Sequence, residues 1–258
     1  MTLFHYAAPQ HFYALAGRLW PWLAGLASAL ALAGLWVGFM LAPSDAQQGQ
    51  AYRIIYVHVP VSWMAMLIYL AMAFWSVLGW VFNTRLSGLM TRALAPTGAL
   101  LAFLSLWTGA LWGKPMWGTY WVWDARLTSM LILLFLYLGY IALTSAIEEP
   151  RRSDRAGALM AMVGAVNVPI IYFSVKWWNT LHQGASVSFT QSPSMASVML
   201  TGMLLMSLAI WLYAIAIALW RVRSLILLRE SHAVWVQQLP EVLAHRAHRA
   251  YRVQRGAT

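Results

Sequence analysis

The chain has 258 residues, 61% of them apolar and 9% charged, with a net charge of +10 and no cysteine. A soluble domain carries about a quarter of its residues charged, so a chain this apolar cannot cover itself with polar surface and must take lipid as its solvent. The missing cysteine excludes disulfides, thiolate metal sites and C-x-x-C-H attachment, and the excess of basic residues sits in short caps between apolar runs and in the last forty residues, a pattern of membrane orientation signals rather than of nucleic-acid binding.

Six apolar segments follow along the chain, each near the roughly 20 residues that cross a bilayer as a helix. They predict an all-α polytopic membrane protein with six transmembrane helices in a single domain, residues 1–258. The first segment, about 19–42, is preceded only by Arg18 and is too long for the apolar core of a signal peptide, so it reads as a permanent span. A loop over 43–58 ends in Tyr52-Arg53-Ile54-Ile55-Tyr56-Val57-His58, with His58 directly before the second span, about 59–82. A short polar connection over 83–92 leads to the third span, about 93–112.

The next loop, 113–127, holds most of the chemistry. Residues 112–128 contain four tryptophans and a tyrosine, and as a helix they would place Trp117, Trp121, Asp124 and Thr128 on one face. Trp123 would then point elsewhere, into lipid. Tryptophan is common at membrane interfaces, but a belt of indoles needs no ordered Gly, Asp and Arg among them. A platform for a flat aromatic ligand does, because rigid indole faces then need a few polar groups to fix orientation.

The fourth span, about 128–147, and the short polar loop 148–155 precede a fifth, about 156–174. Asn167 and Pro169 predict a kink in it, with the helix extending outward through Trp178. His182 lies in the loop that follows, 175–194, before the sixth span, about 195–220. The basic tail, 221–258, starts as a helix drawn to anionic lipid.

Counting Lys and Arg by side gives thirteen (Arg18, Arg85, Arg92, Arg151, Arg152, Arg155 and seven in the tail) against four (Arg53, Lys114, Arg126 and Lys176). That bias puts both termini in the cytoplasm and the tryptophan loop outside. Five of the seven histidines (His5, His11, His232, His245 and His248) fall in the cytoplasmic tails, where solvated side chains are the default. Only His58 and His182 lie outside. One interfacial histidine is more often structural than ligating, but two on one side with an aromatic loop between them favour a ligand pair. Imidazole is a standard axial ligand of haem iron, and the four outer cations exceed Asp45 and Asp124, leaving positive charge for anionic propionates. Without cysteine, such a haem is held non-covalently, as a b-type group.

The segment 117–128 resembles the WWD motif of the CcmC family of bacterial cytochrome c maturation, W-G-x-x-W-x-W-D-x-R-L-T, at every defined position. The flanks 52–60 and 177–184 also resemble family segments, and the likeness covers most of residues 15–230. The resemblance implies a multi-pass protein of the bacterial inner membrane with a periplasmic WWD loop. It implies axial ligation by His58 and His182, beside a haem-binding group of Trp117, Trp121, Trp123, Asp124 and Arg126. It implies a transfer role with no catalytic residue of its own: presentation of haem to the haem chaperone CcmE, in a complex with the ABC-type subunits CcmA and CcmB and the small protein CcmD. The larger relatives CcmF and the CcsA-type synthases add spans and histidines that this chain lacks. The long tail departs from the family and carries no assigned role.

Two other readings use the same features. A bis-histidine electron-transfer cytochrome would hold its haem permanently, but it usually buries its histidines within opposing helices, and here the sequence puts none inside a span. A permease subunit of an ABC-type transporter is disfavoured by spans with almost no ionisable residues.

Overall fold

The computed structural model describes residues 7–178, 180–182, 187 and 193–240. The expectations for His5, His245, His248 and the tail beyond residue 240 lie outside the described residues. Within them the chain is helical: α1 (Pro9–Trp36, continued by a π turn Val37–Leu41), α2 (Ile55–Phe82, entered through a 3-10 turn Ala51–Ile54), α3 (Arg85–Trp117), α4 (Ala125–Ala146), α5 (Pro150–Gly164), α6 (Asn167–Trp177), α7 (Ser197–Arg229) and a short α8 (Val234–Gln237). Six helical units are long and apolar enough to cross a membrane, with α5 and α6 forming one of them. They match the six expected segments, but most run beyond the expected ends.

The fifth span breaks where the sequence predicts it. Pro169 has no N–H to return to the carbonyl of Ala165, and the helix parts at Ala165–Val166. Asn167 turns the break into a contact, donating from Nδ2 to the Ser129 carbonyl of α4 at 2.9 Å. At the start of α5 the Glu149 carboxylate accepts from the Arg151 and Arg152 N–H groups, which hold its pKa below the usual range. The tail continues α7 without interruption to Arg229, and Trp235 folds back beside Tyr13 of α1, ring centroids 5.8 Å apart.

Between lipid-exposed helices there is little hydrophobic driving force, so close packing and interhelical hydrogen bonds must hold the bundle. The sequence supplies small residues for this. Ala95, Ala102 and Ser105 of α3, almost fully buried, lie at helical spacing with Gly98 and Gly109 and form a shallow seam. Ser62 of α2 shares a hydrogen bond with Ser105 across that seam, and Tyr137 of α4 reaches over Gly98 to donate to the Ala65 carbonyl at 2.6 Å. The α1–α7 pair is the most extensive helix contact. A Cβ on Gly34 would come within 2.8 Å of Met206 Cγ, and one on Gly38 within 2.6 Å of the Tyr56 ring.

At the end of the bundle formed by the start of α4, the Asp124 side chain caps the helix, accepting from Leu127 N–H at 2.8 Å. At the opposite end Asp154 of α5 binds Arg92 of α3, Nε–Oδ1 3.3 Å, and Arg229 of α7, Nη1–Oδ2 2.6 Å. One carboxylate thus ties three helices together.

Candidate functional site

His58 lies in the first turn of α2 rather than before it, because the 3-10 turn at Ala51–Ile54 starts the helix early. The side chain is 8% exposed. Its Nδ1 lies 3.0 Å from Thr108 Oγ1 of α3. His182 lies in the non-helical segment after α6 and is partly buried. The two imidazole centroids are 6.2 Å apart with their planes at 31°. Residues 124 positions apart in sequence are therefore brought to one place by α2 and the segment after α6.

Around them is an open cavity walled by α2, α3, α4 and α7. Trp112 meets His58 edge-on at 5.6 Å, and Trp117 tilts against His182 at 6.1 Å. Trp63, Met116, Met130 and Met203 add apolar wall, and Arg126 brings the cavity's one cationic side chain among the described residues.

The tryptophan loop does not meet the condition for a shared helical face. Trp117 ends α3, and Gly118 takes a left-handed conformation (φ 78°) that terminates it, with its N–H returning to the Lys114 carbonyl. Residues 118–124 are non-helical, so Trp117, Trp121, Asp124 and Thr128 do not form one helical face. Gly118 in the motif was the signal for that break, since glycine is the usual residue at a left-handed helix end. Trp121 packs edge-on against Trp123 at 5.3 Å, and neither lines the cavity. Trp123 is 77% exposed, in keeping with the expectation that it points outward.

Asp124 does not line the cavity either. Besides capping α4 it accepts from the Thr180 hydroxyl, whose oxygen accepts from the His182 N–H at 3.1 Å. The motif carboxylate is thereby linked to the histidine segment. Arg53 is also turned away from the cavity, donating to the Phe39 and Ala42 carbonyls at the end of the π turn. It therefore satisfies helix-end acceptors rather than adding to the outer positive charge at the site. The structure brings together His58, His182, Trp117 and Arg126 of the expected residues, and holds Trp121, Trp123 and Asp124 one step behind.

Several neighbours were not singled out by the sequence. Thr108, Gly109, Met116, Thr180 and the Gln48 that accepts from Trp112 Nε1 at 2.9 Å contribute only through tertiary proximity. Helical spacing could have indicated that Thr108 and Gly109 continue the small-residue seam of α3.

Among the described residues no group of three or more His, Cys, Asp or Glu side chains gathers as a bare metal ion requires. Two imidazoles suit a metal whose other positions are already filled. Metal–imidazole bonds of about 2 Å, in line through one ion, set two ring centroids roughly 6 Å apart. The observed separation, 6.2 Å, fits that arrangement. The sequence profile described as Heme exporter protein C matches residues 2–237. The chain belongs to this family. It is 47% identical over 244 residues to Heme exporter protein C of Escherichia coli strain K12, covering 92% of this chain and 96% of the relative. The protein of the same name from Bradyrhizobium diazoefficiens is 44% identical, covering 92% and 90%. A ccmC-like mitochondrial protein of cytochrome c biosynthesis from Marchantia polymorpha is 47% identical over 180 residues, covering 70% and 76%.

Proposed function

We propose that this Heme exporter protein C family member binds one non-covalent, b-type haem between His58 and His182 and passes it on for cytochrome c maturation. The observation that carries the reading is the pair of imidazoles at a separation suited to one iron, on the wall of an open, mainly apolar cavity. Haem, when bound, would supply an iron for which imidazole is a standard ligand. The chain supplies the rest. His58 and His182 would ligate the iron, and Trp117 would give an aromatic wall beside His182. The Arg126 guanidinium pairs with a propionate through charge-assisted hydrogen bonds. Trp121, Trp123 and Asp124 shape the loop, and the exposed indole of Trp123 offers a surface to a partner.

The receiving partner in this proposal is a CcmE-type haem chaperone, and the assembly includes CcmA-, CcmB- and CcmD-type subunits. The protein is a transfer component rather than an enzyme. The site faces the periplasm from the bacterial inner membrane, with both termini cytoplasmic, on the strength of the thirteen-to-four distribution of Lys and Arg.

Placement of His58 inside α2 removes one argument against a permanent electron-transfer haem. An open cavity and family membership favour transfer. The test is the absorption spectrum of the purified protein beside those of His58→Ala and His182→Ala. Each variant should lose the six-coordinate spectrum, and added imidazole should partly restore it. Retention of the original spectrum in both variants overturns the assignment. Transfer to the chaperone separates the two functions, since a fixed cytochrome would keep its haem.

A further inference from the structure

Thr108 makes a contact that the haem reading does not by itself require. Its hydroxyl carries one proton. Oγ1 lies 2.6 Å from the Leu104 carbonyl and 3.3 Å from the Ser105 carbonyl, groups that can only accept. The proton is therefore committed to the backbone of α3, and the oxygen presents a lone pair to His58 Nδ1 at 3.0 Å. A hydrogen bond there requires the ring proton to be on Nδ1. Nε2 is then left as the unprotonated nitrogen, the only form in which an imidazole binds metal.

The surroundings reinforce this. His58 and Thr108 are 8% and 7% exposed, so water competes poorly for the bond. The next residue is Gly109, where an added Cβ would stand 3.0 Å from His58 Cε1 and 3.5 Å from Nδ1. The ring thus rests on bare backbone beside the hydroxyl. Below it, Ser62 donates to the His58 carbonyl at 2.6 Å and bonds Ser105, fixing the register of α2 on α3.

We propose that Thr108 is the positioning residue of His58, holding the imidazole in the Nδ1-protonated tautomer so that Nε2 is free to serve the cavity. The inference rests on the haem-binding reading for its purpose, but the tautomer itself can be observed without haem. It also makes His58 the preset member of the pair, its ring fixed by α3 before any ligand arrives.

The experiment compares Thr108→Val, which keeps the shape and loses the hydroxyl, with Thr108→Ser, which keeps the hydroxyl. Nitrogen-15 NMR of the histidine-labelled, haem-free protein in lipid discs reads the tautomer, with His58→Ala identifying the signal. The wild type and Thr108→Ser should show Nδ1–H, and Thr108→Val should populate Nε2–H. Haem titration should then show affinity about 10- to 100-fold weaker in Thr108→Val, as for loss of other partners behind a metal ligand, and recovered in Thr108→Ser. If Thr108→Val does not insert, Thr108→Ala carries the same comparison. An Nε2–H tautomer in the wild type overturns the proposal. So does a hydroxyl-free variant with unchanged tautomer and affinity, in which case the Ser105 carbonyl, which also accepts from the His58 ring, suffices. A tautomer change as expected, with no six-coordinate haem in the wild type, leaves the positioning role standing and sinks the haem reading instead.

Discussion

The two oxygens of Asp124 serve different segments. Oδ1 accepts from Leu127 N–H and caps α4, while Oδ2 accepts from Thr180, which in turn orients the His182 backbone. Asp124→Ala removes both functions. Loss of the cap costs about 1 kcal/mol, so thermal stability should fall modestly, and release of Thr180 should loosen the His182 ligand. Thr180→Val leaves the cap intact. It should reproduce the spectral change, a reduced six-coordinate fraction, with less of the stability change. Thermal unfolding and haem spectra of the two variants separate the functions. Equal spectra in wild type and Thr180→Val would mean that the relay does not position His182.

For the helices, the small-residue seam of α3 decides how closely α2 approaches. Gly109 is the seam's last small position before the cavity, and its Cβ space is taken up by the His58 ring. Gly109→Val should push the ring aside and cost about 1–3 kcal/mol of overpacking, with loss of the six-coordinate spectrum. Gly25→Ala in α1, where an added Cβ meets nothing within 4 Å, is the matched control and should leave the spectrum unchanged. The spans themselves were legible from the sequence because uninterrupted apolar runs of bilayer length have few other uses. The histidine pair was legible because the count of Lys and Arg assigns only His58 and His182 to the side of the tryptophan loop. The path of 118–124 was not legible from tryptophan spacing, which gives a shared face only if the segment is helical, whereas Gly118 ends the helix. Helical spacing could place Thr108 in the seam of α3, but neither its contact with His58 nor that of Thr180 with Asp124 could be read. An isolated threonine gains its meaning from the carbonyl, ring or carboxylate that folding places beside it.

At the scale of the whole molecule, orientation is the claim on which the site's function depends. The chain has no cysteine, so single introduced cysteines report accessibility without background. Tyr120→Cys, at a position 55% exposed in the tryptophan loop, should react with an impermeant reagent added from outside. Arg85→Cys and Arg152→Cys, exposed at the other end, should react only after the membrane is opened. Labelling of position 120 solely from the cytoplasm would put the cavity on the wrong side for delivery to a periplasmic chaperone.

The Asp154 knot has a mechanical consequence. It fastens α7 at Arg229, while Met203 of the same helix forms part of the cavity wall. Twenty-six residues at about 1.5 Å each separate the two by about 39 Å. If α7 tilted as a rigid rod about this anchor, it would act as a lever with its fulcrum at Asp154. Each degree of swing moves the Met203 end by about 0.7 Å, taking that helical rise for its arm. Two or three degrees shift the wall by more than the half-ångström tolerance of a preorganised ligand site. A load that tilted α7 would therefore change the width of the cavity without touching either histidine.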